Sequence, residues 1–163
     1  MVFRNDSYIG QMRLTIDAIR TRFRACGVRL TPQRAAIYGE LAGTTSHPTA
    51  DDLFRAVRRR YPMISRNTVY YTLGVLRKAG LAHEVNVGHD SARFDANVSL
   101  HHHLVCLGCG HILDLMDDAL DRVTVARGVE SGFQVLGHRV EFHGYCRACR
   151  GIGKGPHEKK VAL

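Results

Sequence analysis

Four amphipathic stretches open the chain, and a strand-like pattern replaces them after Gly80. Residues 12–26 place Ile16, Ile19, Phe23 and Cys26 at helical spacing, which predicts a first helix with Cys26 as a small buried hydrophobe. In "LTPQRAAIYGEL", Thr31 stands where an N-cap belongs and Pro32 at the first helical position, with Ile37 and Leu41 as the apolar stripe. "HPTADDLFRAVRRRYP" predicts a third helix. Thr49 and Asp52 open it at capping-box spacing, and Pro62 is its stop. "SRNTVYYTLGVLRKAG" predicts a fourth, capped by Ser65, lined by Val69, Leu73 and Leu76, and ended by Gly80.

Beyond Gly80, "LAHEVNV" and "ARFDANV" flank "GHDS" as the arms and turn of a hairpin. Helices followed by a hairpin describe a winged helix, a variant of the helix-turn-helix. From about residue 101 the pattern predicts strands near 101–107, 111–115, 132–137 and 139–145. A helix over roughly 117–128 carries Leu120, Val123 and Arg127. The expected chain is α+β. A winged-helix domain covers 1–94, a hinge 95–100, an α/β domain 101–150 and a polar tail 151–163.

Composition narrows the class. Of 163 residues 45% are apolar, enough for a real core. The formal charge of +8, with ten histidines besides, favours an anionic partner, and nucleic acid is the commonest. No apolar run has the length of a membrane span, and "MVFRNDSYIG" lacks a signal-peptide core. These features place the chain in the cytoplasm, where paired cysteines serve metals or redox chemistry rather than disulfides.

The fourth helix joins short polar and basic groups at its N-terminal end to an apolar back, as a DNA-reading helix must. Arg66, Asn67, Thr68, Tyr70 and Tyr71 are its candidate contacts. Arg29 and Arg34, with Arg13, Arg22 and Arg24, are candidates for the phosphate backbone. Two C-x-x-C pairs, Cys106/Cys109 and Cys146/Cys149, predict a closed tetrahedral zinc site. Four sulfurs leave no open position, so that site is structural, and Gly108 and Gly110 are expected to free its first turn. His101 and His103 sit two apart on a strand and share a face, so both imidazoles can meet one ion. Spacing alone carries only these two; Asp95, Asp114 and His47 lie elsewhere in the chain as groups that would have to be brought to the same ion. Imidazole and carboxylate without thiolate suits iron(II), manganese(II), nickel(II) or zinc(II). His83, His89, His111, His143 and His157 read as surface positions.

Taken together, "GVRLTPQRAAIY", "HPTADDLF", "ISRNTVYYTLGVLRKAGL", "ARFD", "HHHLVCLGCGHILDL" and "GYCRAC" resemble the ferric uptake regulator (Fur) family from about residue 20 to 150. The resemblance implies a homodimeric, metal-dependent repressor of pseudo-palindromic double-stranded DNA, with the C-terminal α/β domain as the dimerisation domain. It is strongest to the peroxide-sensing branch, whose regulatory ion sits on positions that correspond here to His47, Asp95, His101, His103 and Asp114. Asp114 favours the peroxide-sensing over the iron-sensing branch, where glutamate is usual. Ser99 and Val105 depart from the H-x-H-x-H run of the nickel-sensing branch. His102, Asp121 and His138 resemble an extra metal site of some iron-type members, with Leu100 replacing one of its histidines. The implied cofactors are structural zinc and regulatory iron(II) or manganese(II). The implied signal is peroxide, read through oxidation of His47 or His101. Iron- or manganese-responsive control of metal uptake is the alternative. A non-haem iron enzyme is the alternative of another class, and a basic winged helix would then have no purpose.

Overall fold

The computed structural model describes residues 14–85, 92–124 and 132–151. They fall into two compact units, the first ending at Val98 and the second beginning at Ser99. No helix among the described residues is long and apolar enough to cross a membrane. The hairpin turn over 88–91, Arg13, His89, Arg127, His157 and the tail from 152 lie outside the described residues.

The first unit contains α1 (Ile16–Ala25), α2 (Pro32–Ala42), α3 (Ala50–Arg58), α4 (Arg66–Lys78), β1 (His83–Val85) and β2 (Arg93–Asp95). Each helix starts where a hydroxyl can satisfy an orphan backbone donor. Thr15, Thr31, Thr49 and Ser65 each accept from the N–H three residues on. Val69, Leu73 and Leu76 are buried, as their spacing requires, against Phe23, Ile37, Leu41 and Leu53. Phe23 and Tyr38 meet with ring centroids 5.3 Å apart. Two details differ from the sequence pattern. Ile16 is half exposed at the start of α1. Cys26 is exposed, because it is the C-cap of α1 and the chain turns away at Gly27 with φ 65°.

The capping box of α3 forms as expected. Thr49 donates to Asp52 Oδ2 from its hydroxyl at 2.7 Å and from its backbone N–H at 2.9 Å. The hydroxyl contact, ahead of the backbone one, holds the Asp52 carboxyl below its ordinary 3.8 although burial opposes the shift. Its contribution is therefore complete above that value and fades as pH falls through the folded-state value. Asp52→Ala should cost about 1 kcal/mol at pH 7, and urea melts of the two proteins should converge in acid. Equal midpoints at pH 7 would show that the box does not stabilise α3.

β1 and β2 pair antiparallel with His83 opposite Asp95. Strand β2 also holds the loop before α3. Phe94 N donates to Pro48 O at 3.0 Å, and Arg93 donates to the His47 carbonyl at 3.3 Å. These bonds carry His47 to the strand that bears Asp95.

The second unit contains β3 (His102–Cys106), β4 (Ile112–Leu115), α5 (Asp118–Asp121) and β5 (Glu141–Gly144), with sheet order β4-β3-β5. β3 runs antiparallel to β4 and parallel to β5. Expectation and structure part here. The helix predicted over 117–128 stops after Asp121. Asp117 caps it by accepting from Ala119 N at 2.8 Å, but Val123-Thr124-Val125 is β-branched and resists continuation. No strand forms over 132–137, and the strand expected at 139–145 is confined to 141–144. β3 has neighbours on both sides without that segment.

Candidate metal centres and DNA-reading helix

Strand register builds the cysteine cluster. β3 ends at Cys106, opposite Gly144 of β5, so Cys146 follows beside it. Cys146 N donates to Cys106 Sγ at 3.3 Å. Gly110, at φ 68°, turns the chain so that Cys106 N reaches His111 O at 2.8 Å. Gly108 serves differently from expectation. A Cβ there would stand 2.8 Å from Cys149 Cβ, so glycine is required for close approach rather than for the turn. All four sulfurs lie within 4.8 Å of one another, and Cys109 Sγ and Cys146 Sγ are 3.8 Å apart. Thiolates bound about 2.3 Å from a tetrahedral zinc would stand about 3.8 Å apart, so the cluster fits zinc.

The thiols' protonation points the same way. Burial pushes Cys106 up, but backbone N–H groups of Cys146, Cys109 and Gly108 outweigh it and bring it to about 6. The His111 N–H lowers Cys109, but burial and the Cys106 sulfur together raise it. The Cys146 side chain, aided by burial, pushes Cys149 up to about 12. Cys106 lowered while Cys109 and Cys149 are raised is an imbalance that a divalent cation would remove by favouring the thiolate form of its ligands.

A second donor group lies at the other end of β3. Asp114 of β4 stands opposite His103, and His101 precedes it by two residues on the same face. His101 Nε2 and His103 Nε2 are 3.0 Å apart, and each lies 3.9 Å from Asp114 Oδ1. Two nitrogens that close share either a proton or a cation. Two donors each about 2.1 Å from one ion are about 3.0 Å apart when the bonds are at right angles, and never more than about 4.2 Å. The longer contacts are too long for hydrogen bonds and within that limit.

In the first unit, His47 Nε2 stands 4.0 Å from Asp95 Oδ2. Asp95 is held by Asn97 N, which donates to Oδ1 at 2.8 Å. His47 has φ 49°, and among the described residues it is the one non-glycine in the left-handed region. Such strain gathers where side-chain placement matters. Carbonyl partners fix the tautomers. His101 Nδ1 lies 2.8 Å from Ser99 O, and His47 Nδ1 lies 3.1 Å from Thr45 O. A carbonyl only accepts, so Nδ1 carries the proton and Nε2 presents its lone pair in both rings, as metal-ligating histidines do.

His102 is wired the opposite way. Val140 N donates to its Nδ1 at 3.1 Å, so Nε2 carries the proton and donates to Asp121 Oδ1 at 3.1 Å. His138 stacks on it at 5.8 Å and directs Nε2 at Leu120 O, 2.7 Å away. The extra ion expected at His102, Asp121 and His138 is not carried by this geometry. The three tie α5 and the segment before β5 to β3.

On α4, Tyr70 and Tyr71 are 55% and 65% exposed, which removes core packing as their role. Arg66, Asn67 and Arg29 are exposed, and Arg34 and Thr68 are half-buried. Arg34 lies 5.7 Å from the Tyr71 ring centroid and donates to Arg29 O at 3.0 Å.

Residues 25–143 match the profile of the ferric uptake regulator family. The chain is 41% identical over 133 residues to the peroxide operon regulator of Bacillus subtilis, covering 82% of this chain and 91% of that protein. The chain belongs to the ferric uptake regulator family. It is also 40% identical to the peroxide-responsive repressor PerR of Staphylococcus epidermidis, covering 80% of this chain and 87% of that one. The crystal structure of the Campylobacter jejuni peroxide stress regulator superposes with a TM-score of 0.64 at 28% identity, over 83% of this chain and 99% of that one. The fold is thus the family's α+β fold, and Fur-family proteins are transcription regulators rather than enzymes.

Several parts of this Fur-family site were invisible to sequence reasoning. The carbonyls of Thr45 and Ser99 set tautomers without any side-chain signal. The Gly108–Cys149 approach depends on a parallel strand pairing that no local pattern announces. The left-handed backbone of His47 has a partial signal, since it precedes a proline, which disfavours an ordinary helical conformation there.

Proposed function

We propose that the protein is a metal-dependent DNA-binding transcriptional repressor that senses hydrogen peroxide. The observation that carries this reading is the thiolate-free donor set. His47, Asp95, His101, His103 and Asp114 supply three imidazoles and two carboxylates, a set that suits iron(II) or manganese(II). The tautomers of His47 and His101 support it, as do the peroxide-linked names of the relatives. Cys106, Cys109, Cys146 and Cys149 serve a structural zinc.

His47 and Asp95 come from the first unit, and His101, His103 and Asp114 from the second, so one ion bound by all five would select one arrangement of the DNA-reading helix. Iron(II) held there would open the O–O bond of hydrogen peroxide, with the ligand imidazole as the net two-electron reductant: the ring would gain one peroxide oxygen and the other would leave as water. The chain's part is to keep His47 and His101 with Nε2 toward the ion and Nδ1 on a carbonyl. An oxidised ring is a poor donor, the five-residue set fails, and α4 leaves the operator. Two copies of the chain read the two halves of a pseudo-palindrome, with Asn67, Thr68, Tyr70 and Tyr71 toward the bases and Arg29 and Arg34 toward phosphates.

Peptide mass spectrometry after low-dose peroxide tests this. One added oxygen is expected on His47 or His101 in the iron(II)-loaded protein, and none in the manganese(II)-loaded protein. Intact histidines with zinc still bound would favour an iron- or manganese-responsive regulator of metal uptake. Oxidised cysteines and early zinc loss would move the switch to the thiol cluster.

A further inference from the structure

Arg66 opens α4, and two residues of α3 hold its side chain. Asp51 Oδ1 accepts from Arg66 Nε at 2.9 Å. The guanidinium carbon lies 4.7 Å from the centroid of the Phe54 ring, itself buried. The two charged side chains are 63% and 48% exposed. An ion pair so exposed adds little to stability, so its main effect is on orientation. A flexible side chain at the surface has been fixed on two sides, by a hydrogen bond and by a ring.

What remains is chemically specific. With Nε engaged, Nη1 and Nη2 are left as a planar fork of parallel donors. The Asp51 carboxylate also offsets part of the arginine's charge. A phosphate anchor works through its positive charge and is weakened by a neighbouring anion. A base reader works through the geometry of its fork, and a guanine offers O6 and N7 at matching spacing in the major groove. The first residues of a DNA-reading helix are the ones that reach base edges.

The geometry points to Arg66 as a guanine-reading residue of α4, with Asp51 of α3 as the residue that positions it, an assignment that rests on the DNA-binding reading above. It gives Asp51 a part in sequence specificity although it need not touch DNA. The discrimination belongs to one position of each half-site.

The test is in vitro selection from a randomised duplex library by the full-length manganese(II)-loaded protein, followed by sequencing and salt titration on the selected duplex. The wild type should enrich a half-site with a guanine whose preference falls about 10-fold in Arg66→Ala and Arg66→Lys. Arg66→Lys keeps the charge, so its salt slope should stay near wild type while the guanine preference goes. Asp51→Asn should weaken the preference at that same position and no other. Replacing the guanine with 7-deazaguanine should weaken the wild type and not Arg66→Ala. An unchanged motif with a salt slope lowered by about one would make Arg66 a phosphate anchor and overturn the assignment. An unchanged motif and slope would leave only a surface ion pair and also overturn it. If the wild type enriches no duplex, the DNA-binding reading itself falls. If it enriches a motif indifferent to Arg66, only this inference does.

Discussion

Cys106→Ser is expected to leave the chain without zinc and the second unit without a stable fold. Cys106 is the buried member of the cluster, ends β3, and accepts from Cys146 N. Structural zinc sites are worth about 10–16 kcal/mol in small domains, more than the other contacts of a three-stranded sheet this small supply. The first unit should survive, because its core cluster runs from Ile19 to Phe94 with no residue of the second unit in it. Metal analysis after gel filtration should fall from one zinc per chain to none. Far-ultraviolet circular dichroism should keep the helical signal, and thermal melting should lose one of two transitions. Full zinc content with an unchanged melt would show that the four sulfurs are not the fold's anchor.

His101→Ala should abolish regulatory-metal binding without disturbing zinc. The substitution removes one of two Nε2 atoms that meet at 3.0 Å, and with it the ring that Ser99 O orients. Even outer-shell partners of metal ligands change affinity about 10–100-fold, so loss of a ligand should reduce manganese(II) affinity by at least about 100-fold. Operator binding at micromolar metal should vanish with it. His102→Asn is the contrasting variant, since its amide oxygen can still accept from Val140 N in place of Nδ1. Its metal affinity should stay near wild type. Equal losses in both variants would mean that the histidine run acts through strand stability rather than through ligation.

The helical unit was legible in the sequence because its determinants are local. A capping hydroxyl, a proline one residue later and an apolar residue every third or fourth position all lie within one helix, and α2, α3 and α4 start where those signals put them. The second unit was harder. β5 finds its partner in β3, far back in the chain, and the pairing is parallel, so neither alternation nor turn chemistry marks where it begins. The apolar letters of 132–137 looked like a strand but have no ladder to join. The four cysteines and the His101/His103 pair were visible from spacing. His47, Asp95 and Asp114 entered as a ligand set only through the family resemblance, since their donors come from a loop and two strands. Gly108 is constrained by the arrival of Cys149, a contact that the turn sequence around it does not announce.

The opposed wiring of the three histidines at the start of β3 has a consequence for how the strand tolerates change. Parity works here as a reading frame. His101 and His103 are addressed to one face and His102 to the other by position alone, and the same three letters would be misdelivered by a slip of one. A residue added just ahead of Leu100 that slipped the segment by one would present His102 between Leu100 and Leu104 on the face that His101 and His103 now share, a single imidazole among leucines. The triplet therefore holds no spare: two copies are the proposed ligands, one is hydrogen-bonded to Val140 and Asp121, and none can stand in for another without moving the strand.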